Sequence, residues 1–293
     1  MIRNIIYIFL ILFFSCTEEI DTNVNLIPFG DIHSLDIITW NIERFPKKDL
    51  QTIDYVNNFI SAFNDIDIIA LQEIESQNDF NILVNSLDNW VGYRYSNSHY
   101  GELAYLINTT NIAIIDSPYP ILEDYGYYFA YRPPYVTKIL FNNQEYILID
   151  IHLKCCGDGQ LDANDSGDEE TRRLWANYYL KQYVDTYFYN NNVIILGDFN
   201  DELTDQSSDN VFKDFIDDLD YYFSDFDIAS GDSNNWSFPG WPSHLDHILM
   251  VNQPNIFTAV TLRLDDYIIG GWGKYNNYIS DHRPVGVSIL FDN

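Results

Sequence analysis

The chain has 293 residues, with 44 Asp and Glu against 15 Lys and Arg, and a formal net charge of −29. Its composition is 46% apolar and 16% aromatic, which supplies a large core and excludes an intrinsically disordered chain. Nonspecific binding to a polyanion comes largely from basic residues releasing counterions, so this charge argues against a tight nonspecific hold on nucleic acid while leaving its hydrolysis open.

Residues 1–16 read as an export signal: Arg3 precedes an apolar stretch from Ile5 to Phe14, followed by Ser15 and Cys16. The stretch is too short to span a bilayer. Phe13-Phe14-Ser15-Cys16 resembles a relaxed bacterial lipobox, which implies a lipid on Cys16 and an exported, cell-surface or periplasmic lipoprotein. An ordinary cleaved signal and a secreted protein is the alternative. Thr17-Glu18-Glu19 resembles the acidic export signal of some surface-displayed lipoproteins, and residues 17–34 would form a tether. On this reading the membrane is met only through Cys16, and nothing implies an obligate protein partner. Cys155 and Cys156 then remain, as a vicinal disulfide or as free thiols.

Residues 35–293 contain no linker and read as one domain. Leu35 to Trp40 is an apolar run that ends at Asn41, as expected of a buried strand delivering a polar side chain at its end. Asp54 to Phe63 has helical spacing, with Ile53, Val56, Ile60 and Phe63 on one side. Ile66 to Leu71 is a second strand, ending at Gln72-Glu73. Further strands are expected at Leu103–Ile107, Ile112–Ile115, Val136–Phe141, Tyr146–Ile151, Val193–Leu196, His247–Val251 and Val285–Leu290. Glu169 to Tyr187 suits a helix packed through Leu174, Tyr178, Lys181 and Val184. Gly231–His244 and Gly270–Tyr278 read as loops at a rim, where Trp236, Trp241 and Trp272 either meet substrate or cover the core. Many strands with a few helices predict an α+β fold, two sheets face to face with helices outside: a four-layer α/β/β/α sandwich.

Polar motifs follow the apolar runs in order: Trp40-Asn41-Ile42-Glu43, Leu71-Gln72-Glu73, Ile151-His152-Leu153, Gly197-Asp198-Phe199-Asn200, Leu245-Asp246-His247 and Ser280-Asp281-His282. Carboxylate and amide oxygens suit a hard cation, and histidines beside carboxylates suit proton transfer or charge stabilisation at a phosphate. On an extended segment Asp198 and Asn200 would share a face, with Phe199 anchored in the core. Asp162-Ala163-Asn164-Asp165-Ser166-Gly167 has the oxygen spacing of the first half of a calcium loop, but position twelve is Arg173. A solvated loop feeding the next helix is the favoured reading.

Together, Trp40-Asn41-Ile42, Leu71-Gln72-Glu73, Gly197-Asp198-Phe199-Asn200 and Ser280-Asp281-His282-Arg283-Pro284-Val285 resemble the signatures of the endonuclease/exonuclease/phosphatase superfamily, from about residue 35 to the end of the chain. The resemblance implies a DNase I-like fold and a divalent-metal-dependent phosphoesterase, with Mg²⁺ expected and Mn²⁺ or Ca²⁺ as alternatives. It implies Glu73 as metal ligand, Asn41 supporting the metal or its water, and Asp281 as a second metal-proximal acid. Asp198 would orient or deprotonate the attacking water and Asn200 would donate to a phosphate oxygen. His282 would contact the scissile phosphate, paired with Asp246, and His152 would be the other active-site histidine, its protonated form favoured by nearby charge. Tyr100-Gly101-Glu102 resembles the DNase I branch, where the Tyr contacts phosphate and the Glu pairs with the histidine matching His152. Arg132 falls where relatives carry a phosphate-contacting Arg. Glu43 matches an acidic ligand of abasic-site endonucleases or is merely solvated; His244 and His247 have no counterpart.

The expected activity is a DNase I-like nuclease acting on a phosphodiester substrate, nucleic acid first. A sphingomyelinase-type phospholipid phosphodiesterase or an inositol-phosphate phosphatase is the alternative, and a surface binding protein that has lost turnover is a third reading.

Overall fold

Every second residue of the strand Ser34–Phe45 (β1) faces a different core, because side chains alternate across a pleated strand. Leu35 and Ile37 point into the space between two sheets, whereas Ile38, Trp40 and Ile42 point outward under helices. The computed structural model describes residues 26–96, 102–252 and 257–291. The expectations for Cys16, the signal, most of the tether and Tyr100 lie outside the described residues.

After β1 the elements follow as α1 (Leu50–Ala62), β2 (Ile68–Ile74), α2 (Gln77–Asn85), β3 (Trp90–Arg94), β4 (Ala104–Asn108), β5 (Ala113–Pro120), β6 (Tyr135–Phe141) and β7 (Gln144–His152). Then come α3 (Glu169–Tyr187), β8 (Asn192–Asp198), α4 (Lys213–Ile216), β9 (Tyr221–Phe223), α5 (Phe226–Ala229), β10 (Asp246–Val251), β11 (Phe257–Thr261), α6 (Gly271–Tyr278) and β12 (Val285–Leu290). They build two six-stranded sheets, ordered β11-β12-β1-β2-β4-β3 and β5-β6-β7-β8-β10-β9. Three apolar layers separate four structural layers. One lies between the sheets, one beneath α1, α2 and α6, and one beneath α3 and α4. This is the expected α/β/β/α sandwich. No helix among the described residues is long and apolar enough to cross a membrane.

Several local expectations need correction. Gly270–Tyr278, expected as a loop, contains α6, because Tyr275 is buried with its hydroxyl between Trp40 Nε1 (3.0 Å) and the His282 carbonyl (2.8 Å), and this anchor outweighs weak helix formers. α3 has the expected span but a different buried face: Arg173, Ala176, Asn177, Leu180 and Val184 face inward, while Tyr178 and Trp175 are exposed and pack on one another. The helix α2, whose first turn is capped by the Ser76 hydroxyl accepting from Asp79 N at 3.3 Å, and the strands β3, β9 and β11 were not expected. Each of those strands is short and sits at a sheet edge, where one flank is solvated and the apolar pattern thins.

Candidate active site

The two central sheet edges end on polar residues that face each other across the sandwich. Parallel pairing of β7 with β8 sets His152 opposite Asp198, and antiparallel pairing of β10 with β8 sets Asp246 opposite the same Asp198. In the other sheet, Asn41 of β1 stands opposite Gln72 of β2, and Glu73 follows with φ +64°. Gly197 is required just before Asp198: its φ is +148° and a Cβ there would lie 1.9 Å from the Ile151 carbonyl oxygen.

Asn41 bridges the sheets. Its Nδ2 donates to Asp198 Oδ2 (2.8 Å) and to Glu73 Oε1 (3.2 Å), and its Oδ1 accepts from Glu43 N (3.0 Å). The Glu43 amide fixes which end of the side chain faces the carboxylates, so Asn41 presents a donor. In this arrangement it orients the Glu73 carboxylate, the expected metal ligand. Arg44 N donates to Glu73 Oε2 (3.0 Å), completing the carboxylate's orientation. Glu43 is not merely solvated: it pairs with Lys47 and accepts from Asp281 N at 3.1 Å.

His282 lies between three acids, with Nδ1 2.7 Å from Asp246 Oδ2 and Nε2 3.9 Å from both Asp198 Oδ2 and Asp281 Oδ1. Burial opposes its charge, but Asp246 and Asp198 outweigh burial and hold it up at about 10. Burial likewise pushes the Asp198 carboxyl up to about 7, against the pull of His282. Ser280 fastens this segment: its hydroxyl donates to the Asn41 carbonyl (2.7 Å) and accepts from His282 N (2.9 Å).

His152 Nε2 is 3.5 Å from Asp198 Oδ2, but burial, then Arg132 and His282, press its pKa well below the ordinary histidine value. That direction runs against the protonated form expected from nearby charge. Among the described residues the His152 Nδ1 has no hydrogen-bond partner, so Glu102 does not pair with it. Glu102 instead meets Arg132 Nη1 at 3.2 Å. Arg132 also donates from Nε to the His152 carbonyl (3.1 Å) and from Nη2 to that of Leu153 (2.9 Å), so its fork braces the scaffold around His152.

Asn200 corrects the extended-segment argument. β8 ends at Asp198, and Asn200 turns left-handed at φ +56°, its N–H donating to Asp198 Oδ1 (3.0 Å) and its Nδ2 to the Leu153 carbonyl (3.3 Å). Phe199 is buried as expected. Glu73, His152, Asp198, Asn200, Asp281 and His282 border a cleft of about 720 Å³ that also includes Trp241. Trp236 instead donates to the Ile228 carbonyl, and Trp272 stacks on Tyr275 against the core beneath α6.

Sequence reasoning passed over two supporting clusters. Buried Asp225 accepts from His244 (3.0 Å), His247 (2.6 Å) and Ile248 N (2.9 Å), while His247 Nε2 reaches the Asp201 carbonyl (3.0 Å). Buried Arg173 pairs with Asp201 (2.7 Å) and Glu170 (3.0 Å). The two histidines that directly flank Leu245-Asp246 carried the available signal. In the Asp162 loop, Asp162 and Asp165 cap their own turns and Asp168 caps α3 through Thr171 N (2.7 Å), as the helix-feeding reading expects.

A hard divalent ion fits this donor set. Glu73 and Asp281 offer carboxylate oxygens beside the amide-braced Asp198, and the nearby acids Glu43 and Asp246 add negative potential without a soft ligand. A four-layer sandwich with such a cluster at its strand ends is a metal-dependent phosphoesterase. The chain belongs to the Endonuclease/Exonuclease/phosphatase family, whose model matches residues 38–282. No curated protein matches it in sequence. Among solved structures, D. rerio TDP2 complexed with single strand DNA product is similar at TM-score 0.65 and 13% identity, over 87% of this chain and 98% of that one. An endonuclease/exonuclease/phosphatase family protein from Bacteroides thetaiotaomicron gives 0.61 and 15%, over 89% and 98%. The human Nocturnin catalytic domain with bound sulfate anion gives 0.60 and 15%, over 87% and 93%.

Proposed function

We propose that the chain is an exported, lipid-anchored nuclease of DNase I-like type that uses Mg²⁺. The convergence of His152, Asp198, Asp246 and His282 on one cleft with Asn41 and Glu73 carries this reading. Glu73 and Asp281 would hold the divalent ion, which supplies Lewis-acid stabilisation of a phosphoryl oxygen when bound. Asp198 accepts the proton of the attacking water, which approaches phosphorus opposite the leaving oxygen. Asn200 offers its second amide hydrogen to a nonbridging oxygen, and a carboxylate there would repel it. The His282 imidazolium, held by Asp246, faces the charge that develops on the phosphate, and neutral His152 contributes a hydrogen bond. No covalent intermediate is needed. Zebrafish TDP2 is bound to a DNA product, which supports nucleic acid as the substrate class. The apolar leader and Cys16 support export and anchoring.

A phospholipid phosphodiester is the second reading, favoured by the acidic cleft wall of Asp158, Glu202 and Asp205 and by Trp241, which is 78% exposed. Both readings are tested by offering the purified chain plasmid DNA, RNA, sphingomyelin and inositol phosphates with Mg²⁺. Cleavage of DNA or RNA that disappears in Asp198→Ala is expected. Hydrolysis of lipid alone would overturn the nuclease reading.

A further inference from the structure

Two adjacent thiols sit on the wall of the catalytic cleft. Cys155 and Cys156 are free and exposed, their sulfurs are 2.9 Å apart, and both line the cavity into which His152, Asp198 and His282 open. The segment is fastened from beneath, because Arg173 Nη1 donates to the carbonyls of Lys154 and Cys156, each at 2.7 Å. The same guanidinium pairs with Asp201, which follows Asn200 in the catalytic turn. The backbone of the dithiol and the Asp201 side chain of the turn therefore hang on one buried cation.

We propose that Cys155 and Cys156 form a redox-active dithiol that closes to a vicinal disulfide and shifts the cleft wall beside the catalytic turn; its effect on turnover rests on the hydrolase reading above. The oxidant is a small-molecule disulfide. The Cys155 thiolate attacks one of its sulfurs, forming a mixed disulfide and expelling the first thiolate. Cys156 then loses its proton and attacks Cys155 Sγ, breaking the mixed bond and expelling the second. The two protons lost by the cysteines end on the two expelled thiols, and two electrons pass from the cysteines to the oxidant.

The surroundings suit this order of events. Lys154 Nζ lies 3.9 Å from Cys155 Sγ, a positive charge beside the attacking sulfur. The Cys156 thiol is held above its ordinary pKa by its hydrogen bond with Cys155 and then by burial, which suits the resolving position. Consecutive Cα atoms are about 3.8 Å apart, below the usual disulfide range of roughly 4.4–6.8 Å, so the ring is strained and easily reduced. Cys156 already has φ +73°, and a Cβ on Gly157 would lie 2.2 Å from Glu170 Oε1, so the segment has no slack on that side. Ring closure consequently loads the Cys156 carbonyl and its bond to Arg173.

The test equilibrates the purified full chain with glutathione and glutathione disulfide, quenches with acid, alkylates and weighs the tryptic peptide from Cys155 to Arg172. The expected product is two hydrogens lighter than the reduced peptide, carries no alkyl label and returns to a doubly labelled form with dithiothreitol. Each single variant, Cys155→Ser or Cys156→Ser, should stop at a mixed disulfide or a free thiol. A peptide that stays doubly labelled under oxidising conditions, or accumulates glutathione in place of the ring, would overturn the proposal. In hydrolysis of a chromogenic phosphodiester, oxidation should raise KM about threefold or more with kcat changed less, reversibly, and not in the double Ser variant. Equal kinetics of the two forms would also overturn it. Absence of hydrolysis in both forms would count against the function reading, while the peptide mass still reports on the dithiol.

Discussion

Asp67→Asn should stabilise the protein at neutral pH and flatten its stability between about pH 4 and pH 7. Asp67 precedes β2 and is 3% exposed; its Oδ2 accepts from Asp36 N at 3.0 Å, which ties the start of β2 to β1. Burial, with the charges of Asp36 and Asp65 added, pushes its carboxyl up to about 7, although the hydrogen bond from Asp36 N pulls the other way. Between the ordinary value of 3.8 and about 7 the unfolded chain has released this proton while the folded chain keeps it. The unfolded state binds fewer protons in that window, so stability falls as pH rises, by at most about 1.4 kcal/mol per pH unit. The full shift corresponds to ~4 kcal/mol, and exchange of protons with neighbouring Asp36 reduces the share of Asp67 to ~2–4 kcal/mol. An asparagine keeps an acceptor for Asp36 N and never ionises. Urea denaturation of parent and variant at intervals from about pH 4 to pH 8 reads the difference. The variant should match the parent near pH 4 and exceed it by ~2–4 kcal/mol at pH 8. A difference that stays constant with pH, or a variant less stable at pH 8, would refute the argument.

Asp246→Asn keeps the shape beside His282 Nδ1 but removes the charge that holds the ring protonated, so kcat at pH 8 should fall by about 10²–10⁴, with the melting transition showing that the fold persists. Gly197→Ala places a methyl 1.9 Å from the Ile151 carbonyl oxygen and should destabilise by about 3 kcal/mol or more, read by urea denaturation or by loss of soluble protein. Chelation with EDTA should abolish phosphodiester hydrolysis and added Mg²⁺ restore it, whereas Ca²⁺ alone should restore less. Glu102→Gln should cost less than about tenfold in kcat/KM, because Glu102 pairs with Arg132 and not with His152; a loss like that of Asp198→Ala would return Glu102 to the catalytic group.

The central strands were legible because they are buried on both faces, so each is an uninterrupted apolar run, and a polar residue after such a run stands out. The same contrast marks Asn41, Glu73, His152, Asp198, Asp246 and His282 in the sequence. Edge strands and α6 lack that contrast: β11 alternates between half-buried and exposed positions, and α6 is anchored by a single tyrosine. Hydrogen-bond choices among polar side chains are a further step removed from sequence. Whether Glu102 meets His152 or Arg132, and which end of the Asn41 amide faces Glu73, depends on backbone donors that arrive from other elements, such as Glu43 N.

His247 shows why such hidden polar groups matter to the site. Its two ring nitrogens face acceptors, the Asp225 carboxylate and the Asp201 carbonyl, so both bonds form only when the ring carries both protons. Asp225 answers with a carboxylate held well below its ordinary range: burial alone would raise it, and His247 and His244 more than reverse that. The buried His247–Asp225 pair fixes the ring on β10, and its Nε2 then holds the carbonyl of the residue after Asn200. His244 continues the network by accepting from Ser237 N (3.1 Å), and the Ser237 hydroxyl accepts from Asp246 N (3.2 Å). Replacing one partner would leave a buried charge without its counter-charge, a cost of several kcal/mol, so the pair behaves as a fixed strut. Asn200, in the turn after β8, and Asp246, at the start of β10, are thereby tied through this network, so their relative position is a property of this strut as much as of the β8–β10 ladder.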